Sequence, residues 1–203
     1  MPEQNVQPGT DHLTDAVETP QAHPPRLAAL IERLLPPLRT EFGADRCTAT
    51  TYRDELTIAV APEDLYDVIT FLRDDASLRF SMLKDVLCGD FNRRTDRFAV
   101  NYNLWSLENR MRVRVTTVAQ EKDPSVRSIT DLYPAADWYE REAYDMHGVI
   151  FDGHPDLRRM YMPEDFVDPE SGEPLYPLRK DFPVMGVEGS LPLPDRDIDS
   201  SSE

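Results

Sequence analysis

Three stretches of the chain repeat their apolar residues at the spacing of an amphipathic helix. The first starts at Arg26 and should end or bend at Pro36 and Pro37. The second opens at Pro62, and the third extends from Pro134 to His147. Their apolar stripes are Leu27, Leu30, Ile31, Leu34, Leu35 and Leu38; Leu65, Val68, Ile69 and Leu72; and Ala136, Tyr139, Ala143 and Met146. Each stripe predicts a helix with one buried face.

Other stretches alternate apolar and polar residues, as half-buried strands do. Leu56, Ile58 and Val60 form one such strand, and residues 80–91 form a less regular extended segment. The clearest pair is 98–104 and 111–115, which the short link 106–109 should join as an antiparallel hairpin. The elements together predict an α+β fold, a two-layer sandwich of a mainly antiparallel sheet with helices.

The composition divides the chain into four parts. Residues 1–24 and 188–203 are acidic and are expected to be disordered tails, around an α/β domain at 25–148. Residues 149–187 carry many prolines and no regular period, yet they hold several aromatic residues. Long irregular segments are uncommon inside a compact domain, so this one is predicted to be an extended docking segment. Part of it could lie on its own domain, and the rest would need a partner.

Charge and motifs narrow the function. The 203 residues have a formal net charge of -16, which repels nucleic acid and anionic lipid. No apolar run is long enough to span a membrane, so a cytoplasmic protein without direct membrane insertion is expected. Cys47 and Cys88 are too few for a four-cysteine iron–sulfur cluster. Gly-rich phosphate loops are absent, so nicotinamide, flavin and ATP have no visible binding motif.

A metal site is one hypothesis for the polar stretch around the end of the third helix. His147, Asp152, His154 and Asp156 could supply nitrogen and oxygen ligands. The two histidines lie seven residues apart across Gly148, the predicted helix end, rather than one turn apart. The alternative is that His154, before a proline, is a hydrogen-bonding group in a turn.

An acid/base site is the second hypothesis, since Glu140, Glu142 and Asp145 lie on one helix. Residues two apart do not face each other on a helix, so the two glutamates point to different sides. A solvated or salt-bridged helix face is the commoner explanation. Asp137 and Arg141 are four residues apart in the favourable order and are predicted to form an ion pair.

A docking surface is the third hypothesis. Arg141, Arg158, Arg159 and Arg179 stand among Tyr, Phe, Met and Pro, which is the composition of protein–protein interfaces. The alternative is an arginine-rich loop folded on its own domain. The length of the segment favours docking.

Several of these stretches also resemble one protein family. They are LRFSMLKDVLCGDF, RFAVNYNLWSLENRMRVRV, SITDLYPAADWYE, WYEREAYDMHGVIFDGHPDLRR and PLRKDFP. In this order, over roughly residues 26–186, they resemble the C subunit of the proton-pumping NADH:quinone oxidoreductase, respiratory complex I. Two features depart from that pattern, namely His147, where the family usually has a large apolar residue, and the longer acidic loop before Pro177.

The resemblance implies a protein without an active site or cofactor of its own. It would sit in the hydrophilic arm, peripheral, on the cytoplasmic side of the plasma membrane, with flavin and iron–sulfur clusters in partner subunits. The expected partners are the homologues of the D and B subunits, in a complex that couples electron transfer from NADH to quinone with proton translocation. The expected subunit interface comprises Glu140, Arg141, Glu142, Asp145, His154, Asp156, Arg158, Arg159, Arg179, Lys180, Asp181 and Phe182.

Two alternatives remain open. The chain could be the equivalent subunit of a related membrane complex that oxidises a deazaflavin, ferredoxin or hydrogen. It could also be a free-standing metal-dependent enzyme that uses His147 and His154.

Overall fold

The structure, a computed structural model, describes residues 25–92 and 95–183. The predicted acidic tails at 1–24 and 188–203, and residues 184–187 of the predicted docking segment, lie outside these residues. The helices in the described part are α1 (Pro25–Phe42), α2 (Leu65–Asp74) and α3 (Ala136–His147). Its strands are β1 (Cys47–Tyr52), β2 (Glu55–Val60), β3 (Met82–Asp90), β4 (Phe98–Ser106), β5 (Met111–Ala119), β6 (Ser125–Arg127) and β7 (Ile150–Asp152).

The first five strands form one sheet in the order β1-β2-β5-β4-β3. β2 and β5 run parallel, and the other neighbours in this sheet run antiparallel. The predicted hairpin is confirmed, because β4 pairs with β5 from Phe98↔Ala119 to Ser106↔Met111. β6 and β7 form a separate parallel pair next to α3. The predicted α+β class, with a mainly antiparallel sheet, is confirmed.

The core lies between the helices and one face of the sheet. Phe98, Val100, Tyr102 and Leu104 alternate along β4 and are at most 1% exposed. The apolar stripes of α1 and α2 are buried with them in one hydrophobic cluster. Burying a Leu or Phe side chain stabilises a fold by about 1.5–3 kcal/mol, so this alternation accounts for much of the stability of the domain.

Two helix boundaries differ from the sequence predictions. α1 does not end at Pro36 and Pro37 but continues to Phe42. Leu34 and Leu38, on either side of the prolines, are both fully buried, so tertiary packing holds the helix across them. α2 begins at Leu65, three residues after Pro62. The strand β1 was not predicted, because its residues lack a clear apolar alternation.

Candidate functional site

The candidate site is the C-terminal segment, defined here as residues 149–183, together with the end of α3 that it covers. Gly148 ends α3 in the left-handed conformation, with φ 73°, and so confirms the predicted stop. A Cβ atom at Gly148 would lie 2.6 Å from Cζ of Tyr176 and would also overlap the guanidinium of Arg179. Glycine is therefore required here both for the turn and for the close return of the segment.

Asp145 is the central anchor of the segment. Its side chain is fully buried. One carboxylate oxygen accepts three consecutive backbone N–H bonds, from Met160 at 3.0 Å, Tyr161 at 2.7 Å and Met162 at 3.0 Å. The other oxygen takes Nη1 of Arg159 at 3.1 Å. Burial alone would raise the pKa of Asp145, but these donors outweigh it and hold the pKa below its usual value.

Arg159 connects Asp145 to the rest of the C-terminal segment. Its side chain is only 7% exposed. It donates to the carbonyls of Leu175, at 3.1 Å, and Phe166, at 3.4 Å, and its guanidinium lies 5.2 Å from the ring centre of Tyr176. One arginine thus joins the helix carboxylate to two separate parts of the irregular chain.

Arg141 holds the same region from the helix side. It donates to the carbonyls of Arg158, at 3.2 Å, and Arg159, at 3.4 Å. The predicted ion pair with Asp137 is wrong, because Asp137 lies 3.2 Å from Nε2 of His154 instead. The backbone carbonyls that attract Arg141 lie 17 and 18 residues away, beyond the reach of a local pairing rule.

Arg179 closes the end of α3. Its Nε donates to the His147 carbonyl at 2.5 Å, and its guanidinium lies over the rings of Tyr176, at 4.2 Å, and Phe98, at 5.1 Å. The Leu178 amide bonds the Met146 carbonyl at 3.1 Å. These two donors satisfy carbonyls that the helix end would otherwise leave free.

An ion cluster built on the buried pair Asp90 and Arg97 attaches the last part of the segment to the end of β3 and to the residue before β4. Asp90 and Arg97 form a bidentate pair, with bonds of 3.1 and 2.9 Å. Asp90 also accepts the Lys180 amide at 2.8 Å, and Arg97 lies 2.9 Å from Asp181. Burial opposes ionisation of Asp90, but Arg97 and the backbone donors lower its pKa to about 2. Asp90 and Arg97 were not predicted as site residues, because their partners in the segment lie far away along the chain.

Glu140 is a second buried carboxyl group on α3, and it faces the loop that precedes the helix. It accepts Ser128 Oγ at 2.6 Å and the Ile129 amide at 2.9 Å. Burial raises its pKa to about 7, although these two donors partly offset the effect. Glu142 is exposed, so the two glutamates do face different sides and form no acid/base pair.

The predicted interface residues therefore fall into three groups. Glu140, Arg141, Asp145 and Arg159 are engaged inside the chain, and His154, Arg179 and Phe182 are partly exposed. Glu142, Asp156, Arg158, Lys180 and Asp181 are exposed. Around them the chain exposes apolar side chains that the predicted interface did not include, among them Trp138 at 59%, Tyr161 at 60% and Leu178 at 56%. The interface role of all these residues remains a prediction.

The histidines of the metal hypothesis have separate surroundings. Nδ1 of His154 accepts the Asp156 amide at 3.0 Å, whereas His147 packs edge-on against Phe98. His147 is buried, its Nδ1 has no hydrogen-bond partner among the described residues, and burial lowers its pKa to about 4. Across residues 25–92 and 95–183, no three His, Cys, Asp or Glu side chains are grouped as a metal site would need. In the same ranges, no helix has the length and apolar character needed to cross a membrane.

Comparison with known proteins gives consistent matches. The family profile described as "Respiratory-chain NADH dehydrogenase, 30 Kd subunit" matches residues 58–188. The NADH-quinone oxidoreductase C subunit 1 of Rhizobium meliloti is 46% identical over 149 residues, which cover 73% of this chain and 70% of the relative. The corresponding C subunit of Sinorhizobium medicae is 48% identical over 132 residues, or 65% of this chain and 62% of the relative. The matched region is thus close to two thirds of the length of these relatives.

The fold also matches a solved structure. The chain described as "Nqo5 of the trypsin-resistant fragment (1-134) in P63 form" superposes with a TM-score of 0.53 and 28% sequence identity. The match covers 65% of this chain and 99% of that chain.

Proposed function

The chain belongs to the family of the respiratory-chain NADH dehydrogenase 30 Kd subunit, the C subunit of NADH-quinone oxidoreductase, and on this premise we propose that it is a structural, non-catalytic component of the hydrophilic arm of complex I. In this role it supports electron transfer from NADH to quinone, coupled to proton translocation, without taking part in the chemistry. Its neighbours are the homologues of the D and B subunits, on the cytoplasmic side of the membrane.

The observation that carries the proposal is the anchoring of the C-terminal segment. Asp145, Arg159 and Arg179 use their charges inside the chain, on backbone groups of the segment and of the helix end. The same segment turns Tyr161 and Leu178 outward. A segment that is held rigidly by polar contacts and presents apolar side chains is preorganised for a partner, because less conformational freedom is lost on binding.

The cysteines support a role without a cluster in this chain. Desolvation raises the pKa of Cys88 to about 12, and burial also raises the pKa of Cys47. A four-cysteine iron–sulfur cluster needs four thiolates, whereas the sequence has two cysteines, on β1 and β3 at opposite edges of the five-stranded sheet. Flavin and clusters are therefore assigned to the partner subunits.

The test is to purify the full chain, tagged, from membranes of its own source cells and to identify what assembles with it. The expected result is one large complex that contains the homologues of the D and B subunits, oxidises NADH and reduces quinone. Recovery of a deazaflavin-, ferredoxin- or hydrogen-oxidising module would assign the chain to a related complex instead. A free chain with metal and activity of its own would overturn the proposal.

A further inference from the structure

Within the part of the chain that the structure describes, one face of the five-stranded sheet has no helix packed on it. The residues of β4 that alternate with the buried ones are partly or fully exposed, and they include Asn101, Asn103 and Trp105. Leu87 on β3 and Arg112 on β5 lie on the same face. This open face includes large exposed apolar side chains, with Trp105 at 38% and Leu87 at 54% exposure. Exposed apolar residues that are grouped and rimmed by polar ones mark interaction sites more often than scattered ones do.

One end of the open face is a basic groove. It has a volume of about 850 Å³, and its apolar lining includes Leu87, Trp105 and Leu107. Its charged lining has five basic residues against three acidic ones: Arg26, Lys84, Arg110, Arg112 and Arg114 against Asp54, Glu55 and Asp85. Leu107 is 55% exposed. Arginine and tryptophan are the residue types most enriched at the energetic centres of protein interfaces.

The charges in this groove are not neutralised within the described residues. Arg114 bonds Glu55 at 2.7 Å, and Lys84 lies 3.7 Å from Asp85. Arg26, Arg110 and Arg112, by contrast, have no ion pair or side-chain hydrogen bond to any residue in the described ranges. Asp54, in the same groove, also has no ion pair among the described residues, so the three arginines leave a net local positive charge on a chain with 38 acidic and 22 basic residues.

The opposite end of the same face is acidic. A second groove of about 630 Å³ lies there, and Ala99 of β4 belongs to it. Its charged lining has four acids against two arginines: Asp45, Glu63, Asp64 and Asp96 against Arg46 and Arg114. Arg114 lines both grooves, so they adjoin on the sheet face, while Ala99 and Trp105, six residues apart on β4, lie about 20 Å from each other. The face therefore has a charge direction, which can fix the orientation of a bound partner.

We propose that the open face binds a neighbouring protein subunit, through a segment with carboxylates opposite Arg110 and Arg112 and apolar side chains opposite Trp105 and Leu87. The inference rests on the proposed function, because it requires that the chain works inside an assembly. The net charge of -16 disfavours nucleic acid and anionic lipid as occupants. It also disfavours a second copy of the chain, since two equally charged copies repel each other.

The test places a photo-crosslinking amino acid at Trp105 in the full chain, expressed in its source cells. The same amino acid at Tyr161 reports on the C-terminal segment, and at Arg39, on the helix layer, it serves as the exposed control. The expected cross-link from position 105 joins an acid-rich segment of another subunit of the complex. Position 39 is expected to give at least tenfold less of that product.

Reversing the charges of Arg110 and Arg112 tests whether these two side chains bind carboxylates of the partner. The double change Arg110→Glu with Arg112→Glu should lower the position-105 cross-link at least tenfold, and it should recover when the carboxylates found in the partner are changed to lysine. Arg39→Glu with Lys122→Glu makes the same change in charge at exposed positions away from the groove, and it should leave the product unchanged.

Three results would overturn the inference while leaving the proposed function intact, each with the chain assembled in the large complex. They are cross-links from position 105 to residues 1–24 of the same chain, cross-links to a second copy, and no cross-link at all. Failure of the proposed function is distinguishable, because the chain would then not assemble and position 161 would also give no subunit product.

Discussion

The part of the chain at residues 25–148, called the domain below, and the C-terminal segment at 149–183 are held mainly by different interactions. The domain is built around side chains such as Leu34, Phe98 and Tyr102, which are fully buried against one another. The segment enters the same core through Val149 and Phe151, but beyond them it turns several apolar side chains outward and is fixed chiefly by the buried charges of Asp145 and Arg159. Apolar packing tolerates modest changes in shape, whereas a buried charge left without its partner is costly. The segment therefore has one specified conformation without a core of its own.

The largest effect is expected from Asp145→Ala. The change leaves three backbone N–H groups and the Arg159 guanidinium without their acceptor. Removing one partner of a buried charged pair costs about 3–5 kcal/mol. Amide hydrogen exchange should accelerate at residues 160–162, while β4 and β5 keep most of their protection.

The matched control is Asp156→Ala. Asp156 pairs with Arg158 at 2.9 Å, but both side chains are more than half exposed. Surface pairs contribute about 0–1 kcal/mol, so this variant should exchange like the wild type. Equal protection of 160–162 in both variants would show that Asp145 does not hold the segment.

The next prediction concerns the pH dependence of stability, which should differ between the domain and the segment. The pKa of Glu140 is raised from 4.5 to about 7 in the folded chain. The folded state therefore binds more protons than the unfolded state in this window, and its contribution to stability is lost as pH rises from about 4.5 to 7. The measurement is the free energy of unfolding in urea, for the wild type and for Glu140→Gln. The wild-type value minus the variant value should fall by up to about 3 kcal/mol between pH 4.5 and 7.

The segment should respond to acid in the opposite direction. The pKa of Asp90 is lowered to about 2 and that of Asp145 is also lowered, so their contributions are present above about pH 4 and are lost below it. If the free energies of unfolding of the wild type and Glu140→Gln differ by the same amount at pH 4.5 and at pH 7, Glu140 is not the source of the pH dependence in that window.

A smaller effect is expected from adding a methyl group at Gly148, where the C-terminal segment packs closely against the end of α3. Gly148→Ala and Gly172→Ala both place alanine at φ 73°, which costs about 1–2 kcal/mol in each case. A Cβ at Gly172 meets nothing within 4 Å, whereas at Gly148 it would overlap Tyr176 and Arg179. Gly148→Ala should therefore be less stable than Gly172→Ala by a further ~1–3 kcal/mol in denaturant unfolding. Equal losses would mean that the close return of the segment is not needed.

The smallest effect concerns His147. Its buried Nδ1 has no hydrogen-bond partner in the described residues. An unsatisfied buried polar atom costs about 1–3 kcal/mol, so replacing His147 by phenylalanine removes a destabilising group. The larger ring of phenylalanine offsets part of this stabilisation, because it must fit into a packed core. His147→Phe should leave the thermal midpoint unchanged or raise it by a few degrees, with assembly intact. A marked loss of stability would assign His147 a polar role that its packing against Phe98 does not show.

An element can be predicted from the sequence when the residues that determine it are close together along the chain. Burial along β4 and β5 repeats every second residue, so the hairpin could be predicted from residues 98–115 alone. The continuation of α1 past Pro36 could not, because it depends on packing with the rest of the core. The sequence pattern places Arg141 and Asp145 on a surface, whereas their backbone partners lie 15–18 residues away. Backbone groups carry no residue-type signal, which is also why the bond between Asp90 and the Lys180 amide could not be predicted.

The claim that the C-terminal segment serves assembly rather than chemistry is tested most directly by Arg158→Ala with Arg159→Ala. The measurement is quinone reduction per assembled complex in membranes, with the amount of complex determined on native gels. The expected result is less assembled complex and near-normal quinone reduction for each complex that forms, with NADH oxidation by an artificial acceptor better preserved. Arg158→Ala alone, at an exposed side chain, should lower the amount least. Full assembly with quinone reduction abolished would contradict the claim and place these arginines in the reaction.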